Sequence, residues 1–240
     1  MEAKCSFCEI FGEKPHCHNC KVFNKTRTHV PQEIDCSLEE LVEYINTHDD
    51  VTERFGVGDY KTIELYTGER VKIILLDTDK DKLANSEGNA KTTFGILAYD
   101  GLFRMNKERD NTTSWKDCEM RTVRMERILR LLPEAIRNNI KPVIKHTSAG
   151  GGSREIIATT DKLFLFSEVE IRGEVEYSRP GEDEQYEYFV SETNRVFDDY
   201  KWLRSPYYDG SNGFCCVTSY GGSYGNIANN SSGVAFGFCL

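Results

Sequence analysis

Apolar residues first recur at helical spacing over Leu38, Leu41, Val42 and Ile45, which share one face. Asp35 or Ser37 can cap that helix, which is expected to run to about Asn46 before the polar turn His48-Asp49-Asp50. The period then changes to two. Thr62–Tyr66 and Arg70–Leu76 alternate around Thr67-Gly68-Glu69, the pattern of a β-hairpin. The alternating acids of Asp77-Thr78-Asp79-Lys80-Asp81 read as a solvated charged turn, because the glycine and terminal glutamate of a calcium loop are missing. Thr93–Ala98 reads as another strand.

Met120, Val123, Ile128, Leu131 and Leu132, set among many charges, predict one amphipathic helix over Trp115–Leu132, and Pro133 can open a second through Asn138. Val143–His146 is a short strand candidate. The following Ala149-Gly150-Gly151-Gly152-Ser153 lacks the lysine and helix of a phosphate-binding loop and reads as a flexible connector. Lys162–Phe166 is a buried strand candidate, and Glu182-Asp183-Glu184 a solvated acidic loop. No fixed-period repeat and no heptad pattern appears.

Composition changes the picture at the C-terminal end. Leu203–Leu240 contains no Lys, Glu, Gln, Met or Trp. Tyr, Ser, Asn, Gly, Cys and Asp stand there instead, as in Tyr207-Tyr208-Asp209-Gly210-Ser211-Asn212. Binding loops use this mixture, with Tyr for rigid amphipathic contact and Ser, Gly and Asn for adaptable hydrogen bonds. The whole chain of 240 residues carries a formal charge of −9, against general binding to nucleic acid, which needs a basic face. No stretch is long and apolar enough for a membrane span, and no apolar signal-peptide core follows Met1. Cytoplasmic synthesis is expected, so an outer-surface role would need virion association or non-classical export.

Nine cysteines without a secretion signal point to a reducing compartment and to metal binding before disulfides. Cys5-x2-Cys8 and Cys17-x2-Cys20 place two thiolates on each of two tight turns, the ligand set of a closed tetrahedral zinc site. Residues 1–30 are therefore read as a structural zinc module of zinc-ribbon type, with His16 and His18 near the third ligand. Four protein ligands leave no position for catalytic water. Residues 31–54 read as a linker helix.

From about Phe55 onward the chain resembles bacterial and phage C-type-lectin-like domains, in particular the variable proteins of diversity-generating retroelements. The resemblance rests on Val57-Gly58-Asp59-Tyr60, on Trp115–Arg121, on Thr160–Ile171, on Trp202-Leu203-Arg204-Ser205 and on the ending Gly233–Phe238. It implies an α+β, C-type-lectin-like domain over 55–240, of the kind shared with formylglycine-generating enzymes, with a variable region over 203–240. It also supplies a cause for the missing residue types: randomised AAY codons become NNY codons, which cannot encode Lys, Glu, Gln, Met or Trp. The implied contact residues for a varying ligand of protein nature are Tyr207, Tyr208, Asp209, Ser211, Asn212, Phe214, Thr218, Ser219, Tyr220, Ser223, Tyr224, Asn226 and Asn229. Val217, Ile227, Val234, Phe236 and Phe238 are expected in the core, and Trp202 and Arg204 in the scaffold.

Two other readings compete. A cysteine-dependent enzyme of formylglycine-generating type would use Cys215, Cys216 or Cys239, yet adjacent Cys215 and Cys216 would point to opposite faces of a strand. A zinc-ribbon adaptor would make the large domain structural. His146 stands alone and reads as a structural hydrogen-bonder, and no Ser/His/Asp order suggests a triad. No catalytic residue is assigned.

Overall fold

The computed structural model describes residues 29–240. The chain divides into two units, Met1–Pro31 and Gln32–Leu240. Cys5, Cys8, Cys17 and Cys20 lie outside the described residues. The second unit is an α+β domain built on a β-sheet core.

Helix α1 covers Leu38–Thr47. Ser37 caps it, accepting from the Glu40 amide while the Glu40 carboxylate accepts from the Ser37 amide. Leu41, Val42 and Ile45 are buried in the same core as the sheet, so the segment read as a linker helix belongs to the folded domain. Strands β1 (Tyr60–Glu64) and β2 (Arg70–Thr78) form the expected hairpin, with Ile63 opposite Val71. Gly68 closes the turn at φ +84°, a conformation that favours glycine.

Strand β2 continues past its expected end. Its pairing with β3 (Thr92–Phe103) shifts register between Leu75 and Asp77, and this irregularity lets Leu75, Leu76 and Asp77 all be buried. Asp81 is also buried, so of the three acids expected in a solvated turn Asp79 faces solvent while Asp77 and Asp81 do not. The predicted helix Trp115–Leu132 is broken into α2 (Ser114–Asp117), a π-helical turn over Met120–Met125 and α3 (Glu126–Leu129). The break sits at Cys118, whose backbone is extended, and Asn106 Oδ1 takes up the freed Glu119 amide at 2.9 Å. α4 spans Glu134–Arg137 behind Pro133.

β4 (Val143–Ser148) and β5 (Ile156–Asp161) make a separate two-stranded sheet. β6 (Phe164–Leu165), α5 (Glu168–Arg172), β7 (Lys201–Pro206), β8 (Gly213–Val217), β9 (Ser223–Ile227) and β10 (Ser232–Cys239) complete the domain. The main sheet runs β1-β2-β3-β10-β7-β8-β9, with β6 also on β10, and β10 lies parallel to β7. Trp202 and Arg204 are fully buried, as are Val217, Val234, Phe236 and Phe238, whereas Ile227 is only half-buried. Among the described residues no helix is long and apolar enough to cross a membrane.

Candidate functional site

The loop 207–212 joins β7 to β8, and its backbone is held almost residue by residue. Tyr207 N–H donates to the Gly213 carbonyl at 3.0 Å, and Tyr208 N–H to the Tyr177 carbonyl at 2.9 Å. The fully buried Asn111 donates through Nδ2 to the carbonyls of Gly213 at 2.6 Å, Gly210 at 3.1 Å and Tyr207 at 3.4 Å. Its own amide reaches the Ser211 carbonyl at 2.8 Å, Ala228 N–H reaches that of Asn212 at 2.9 Å, and Arg179 Nη2 that of Tyr208 at 2.9 Å. Among the described residues, only the Asp209 carbonyl of those from Tyr207 to Gly213 lacks such a partner. The side chains of Asp209, Ser211 and Asn212 are exposed and make no hydrogen bond among the described residues.

The clamp explains the glycine run. Gly150, Gly151 and Gly152 have φ of +75°, +58° and +78°, and a Cβ on Gly150 would stand 1.9 Å from the Asn111 carbonyl oxygen. Gly151 N–H donates to Asn111 Oδ1 at 2.9 Å, and Arg179 Nη2 bonds the Gly152 carbonyl at 2.8 Å. The run is thus a fitted turn bracing the tail loop, which corrects its reading as a flexible connector.

Above this backbone lies a tyrosine cluster. Tyr177 stacks on Tyr207 with centroids 5.8 Å apart, Tyr207 meets Tyr208 at 5.4 Å, and the Arg179 guanidinium lies 5.3 Å over the Tyr208 ring. Tyr208 remains 37% exposed. Gly225 on β9 makes room for Tyr207, whose ring would stand 2.7 Å from a Cβ there. Asn111, Tyr177 and Arg179 escape the sequence pattern, because each acts across a long stretch of chain and no periodicity marks them.

The thirteen expected contact residues do not form one surface. Phe214 is fully buried, so it supports the strand and presents nothing to a ligand. Residues opposed in the β8–β9 ladder share a side of the sheet, so Tyr224 and Asn226 lie with Cys216 and Phe214. Tyr207 packs on the other side, over Gly225. Thr218, Ser219 and Tyr220 belong to the β8–β9 turn at the far end of β8, with Ser223 opening β9, and Asn229 sits after β9. The structure groups Tyr207, Tyr208, Asp209, Ser211 and Asn212, and adds Tyr177 and Arg179.

A second polar region lies under α5. Lys145, fully buried, contacts Asp81 at 2.5 Å, Glu170, and the Tyr186 hydroxyl at 2.9 Å. Arg204, equally buried, binds Glu170 and reaches Asp183 at 2.6 Å. Burial opposes the charge on Asp81 and Asp183, yet Lys145 beside the first and Arg204 beside the second hold both carboxyls below their usual range. Glu182 has the Ser148 amide and the Ser205 hydroxyl as partners, but burial dominates and pushes its pKa up to about 7. Asp183 also accepts from the ring and amide of His146, at 2.7 and 3.0 Å. Glu182 and Asp183 are thus structural groups, correcting the solvated acidic loop. A cleft of about 450 Å³ opens over this network, lined by Lys80, Lys82, His146, Glu184 and Tyr186 among others.

Cys36, Cys118, Cys215, Cys216 and Cys239 are all buried and unpaired. Burial pushes the thiols of Cys215, Cys216 and Cys239 upward, away from the thiolate that nucleophilic chemistry needs. Among the described residues no group of His, Cys, Asp and Glu is arranged to hold a metal ion.

Residues 86–240 match the model of a family described as a domain of unknown function (DUF6273), and the chain belongs to that family. The matched segment contains the tail loop, Asn111, Tyr177, Arg179 and the Lys145–Glu170–Arg204 network, while Asp81 lies just before it. No curated protein and no solved structure matches the chain.

Proposed function

We propose that this member of the family is a non-enzymatic binding protein with a C-type-lectin-like domain, whose tail loop recognises a varying protein ligand. The observation that carries this is the backbone clamp on Tyr207–Gly213. Asn111, Arg179, Tyr177 and Ala228 hold the loop through its carbonyls and amides, so its shape does not depend on its exposed side chains. Such a loop tolerates exchange of Tyr207, Tyr208, Asp209, Ser211 and Asn212 while keeping its position. The tyrosine cluster supplies rigid contact area, and Asp209, Ser211 and Asn212 supply uncommitted polar groups. The absence of Lys, Glu, Gln, Met and Trp after Trp202 fits diversification by a retroelement. Buried thiols with raised pKa speak against the cysteine-enzyme alternative.

Deep sequencing of the gene's 3′ end across a natural population tests the reading. Variation concentrated in the codons for residues 207–212 and the other exposed tail positions is expected. A uniform 3′ end overturns the diversified binder.

For the N-terminal module, the donor set of Cys5, Cys8, Cys17 and Cys20 fits a structural zinc ion. Elemental analysis of the purified chain is expected to give one zinc per molecule, lost on Cys8→Ser with Cys17→Ser. Retention of the metal in that variant removes the assignment.

A further inference from the structure

The two edges of the main sheet are treated differently. β1 carries Lys61 and Glu64, and its outer backbone is taken up at Tyr60 by residues 32–34: Tyr60 N–H donates to the Gln32 carbonyl at 3.0 Å, and Ile34 N–H to the Tyr60 carbonyl at 2.7 Å. Charges and covering segments are how sheet edges are kept from pairing with other chains. β9 has neither. From Gly210 to Leu240 the chain contains no Lys, Arg, Asp, Glu or His.

The ladder fixes which backbone groups of β9 face outward. Thr218 N–H donates to the Gly222 carbonyl at 2.7 Å, and Ala228 N–H to the Asn212 carbonyl at 2.9 Å. Bonded pairs alternate in an antiparallel ladder, so between these ends Cys216–Tyr224 and Phe214–Asn226 exchange bonds. Ser223, Gly225 and Ile227 therefore turn their N–H and C=O groups away from β8. Ile227 is closed locally: its N–H meets Asn226 Oδ1 at 2.9 Å and its carbonyl accepts from Asn230 N–H at 2.9 Å. Among the described residues that leaves the edge groups of Ser223 and Gly225 without a backbone partner.

We propose that β9 pairs antiparallel with β9 of a second copy of this chain, about a two-fold axis at Tyr224. Ser223 of each copy then lies opposite Gly225 of the other, and the two pairs exchange four backbone hydrogen bonds. The occupant follows from charge. Each copy carries −9, so like copies repel except where both surfaces lack acidic groups, and self-pairing here sets one uncharged strand against another. The closed edge at Ile227 fixes the register and stops the pairing from sliding. Tyr224, 53% exposed, meets its symmetry mate across the axis and loses water there. With only two open residues per copy, the association is concentration-dependent. It does not rest on the ligand-binding reading, and a uniform 3′ end would leave it standing.

The test is sedimentation and amide exchange of the full chain from about 1 to about 500 μM. The mass is expected to move from monomer toward dimer, and the Ser223 and Gly225 amides to slow about ten-fold at the high end, with Tyr224 unchanged. Tyr224→Lys sets like charges across the axis and should return the monomer, while Tyr66→Lys, an exposed tyrosine on the β1–β2 turn, should not. A monomer throughout with both amides fast overturns the proposal. So does a dimer in which those amides stay fast or which survives Tyr224→Lys. A monomer that protects the two amides only when a neutral extended peptide is added assigns the edge to a different partner, and likewise overturns it.

Discussion

Asn111 Nδ2 donates to the Gly213 carbonyl at 2.6 Å, tying the loop before α2 to the first residue of β8. The same amide group reaches the Gly210 and Tyr207 carbonyls, and its oxygen accepts from Gly151. One buried side chain thereby sets the shape of two loops. Aspartate there would lose the donor, and alanine would lose both roles.

Asn111→Ala takes one hydrogen bond each from the carbonyls of Tyr207, Gly210 and Gly213, a lost buried partner costing about 1–3 kcal/mol. With relaxation of the turn, we expect about 2–4 kcal/mol of destabilisation, read as a Tm lowered by roughly 5–15 °C. Amide exchange across 207–213 should rise with it. An unchanged Tm would show that the clamp is not what holds the loop.

The triple variant Asp209→Ala, Ser211→Ala, Asn212→Ala should behave in the opposite way. These side chains are exposed and make no hydrogen bond among the described residues, and surface substitutions of this kind usually stay within about 0.5 kcal/mol each. A Tm within a few degrees of the parent is expected. Phe214→Ala, two residues on and fully buried, should cost about 3–5 kcal/mol. Comparable losses in both variants would contradict the separation of backbone and side-chain roles.

Lys145 and Arg204 sit in a buried network where removing one partner leaves an uncompensated charge. Lys145→Met should cost about 3–5 kcal/mol in chemical denaturation. Arg204→Lys should also be costly despite keeping the charge, because the guanidinium fork serves Glu170, Asp183 and the Leu165 carbonyl together. A near-neutral Arg204→Lys would mean that charge alone matters there.

Glu182 gives the domain a pH dependence of definite sign. Its pKa rises from an ordinary 4.5 to about 7 on folding, so the native state keeps a proton that the unfolded chain has released. Stability contributed by that proton is present at low pH and lost as pH rises through this window. Glu182→Gln mimics the protonated form, and it should flatten the fall in Tm between about pH 5 and pH 8. A profile as steep as the parent's would place the titration on another group.

Much of the scaffold was legible along the chain. Helix α1, the β1–β2 hairpin and the buried strand near Lys162–Phe166 follow from the pattern of apolar residues, because each buries one face or both against the core. The paired cysteines and the altered tail composition were legible too. What the pattern misread were the charged segments. Asp77–Asp81 and Glu182–Glu184 look like solvent-facing runs, yet Asp81 and Asp183 turn inward to Lys145, Arg204 and Tyr186. Those partners stand far away in sequence. Likewise the break at Cys118 depends on Asn106 meeting the Glu119 amide, a contact that helical periodicity does not contain.

The site divides in the same way. By itself the sequence determined that the tail would be rich in tyrosine and small polar residues and nearly free of charge, since composition is a property of the chain alone. Tertiary structure decided which of those residues act together. β8 and β9 send alternate side chains to opposite sides, so Tyr207 and Tyr224 part company although both lie in one short stretch. Packing then brings in Tyr177, Arg179 and Asn111, because hydrogen bonds and ring contacts depend on distance in space rather than on separation along the chain.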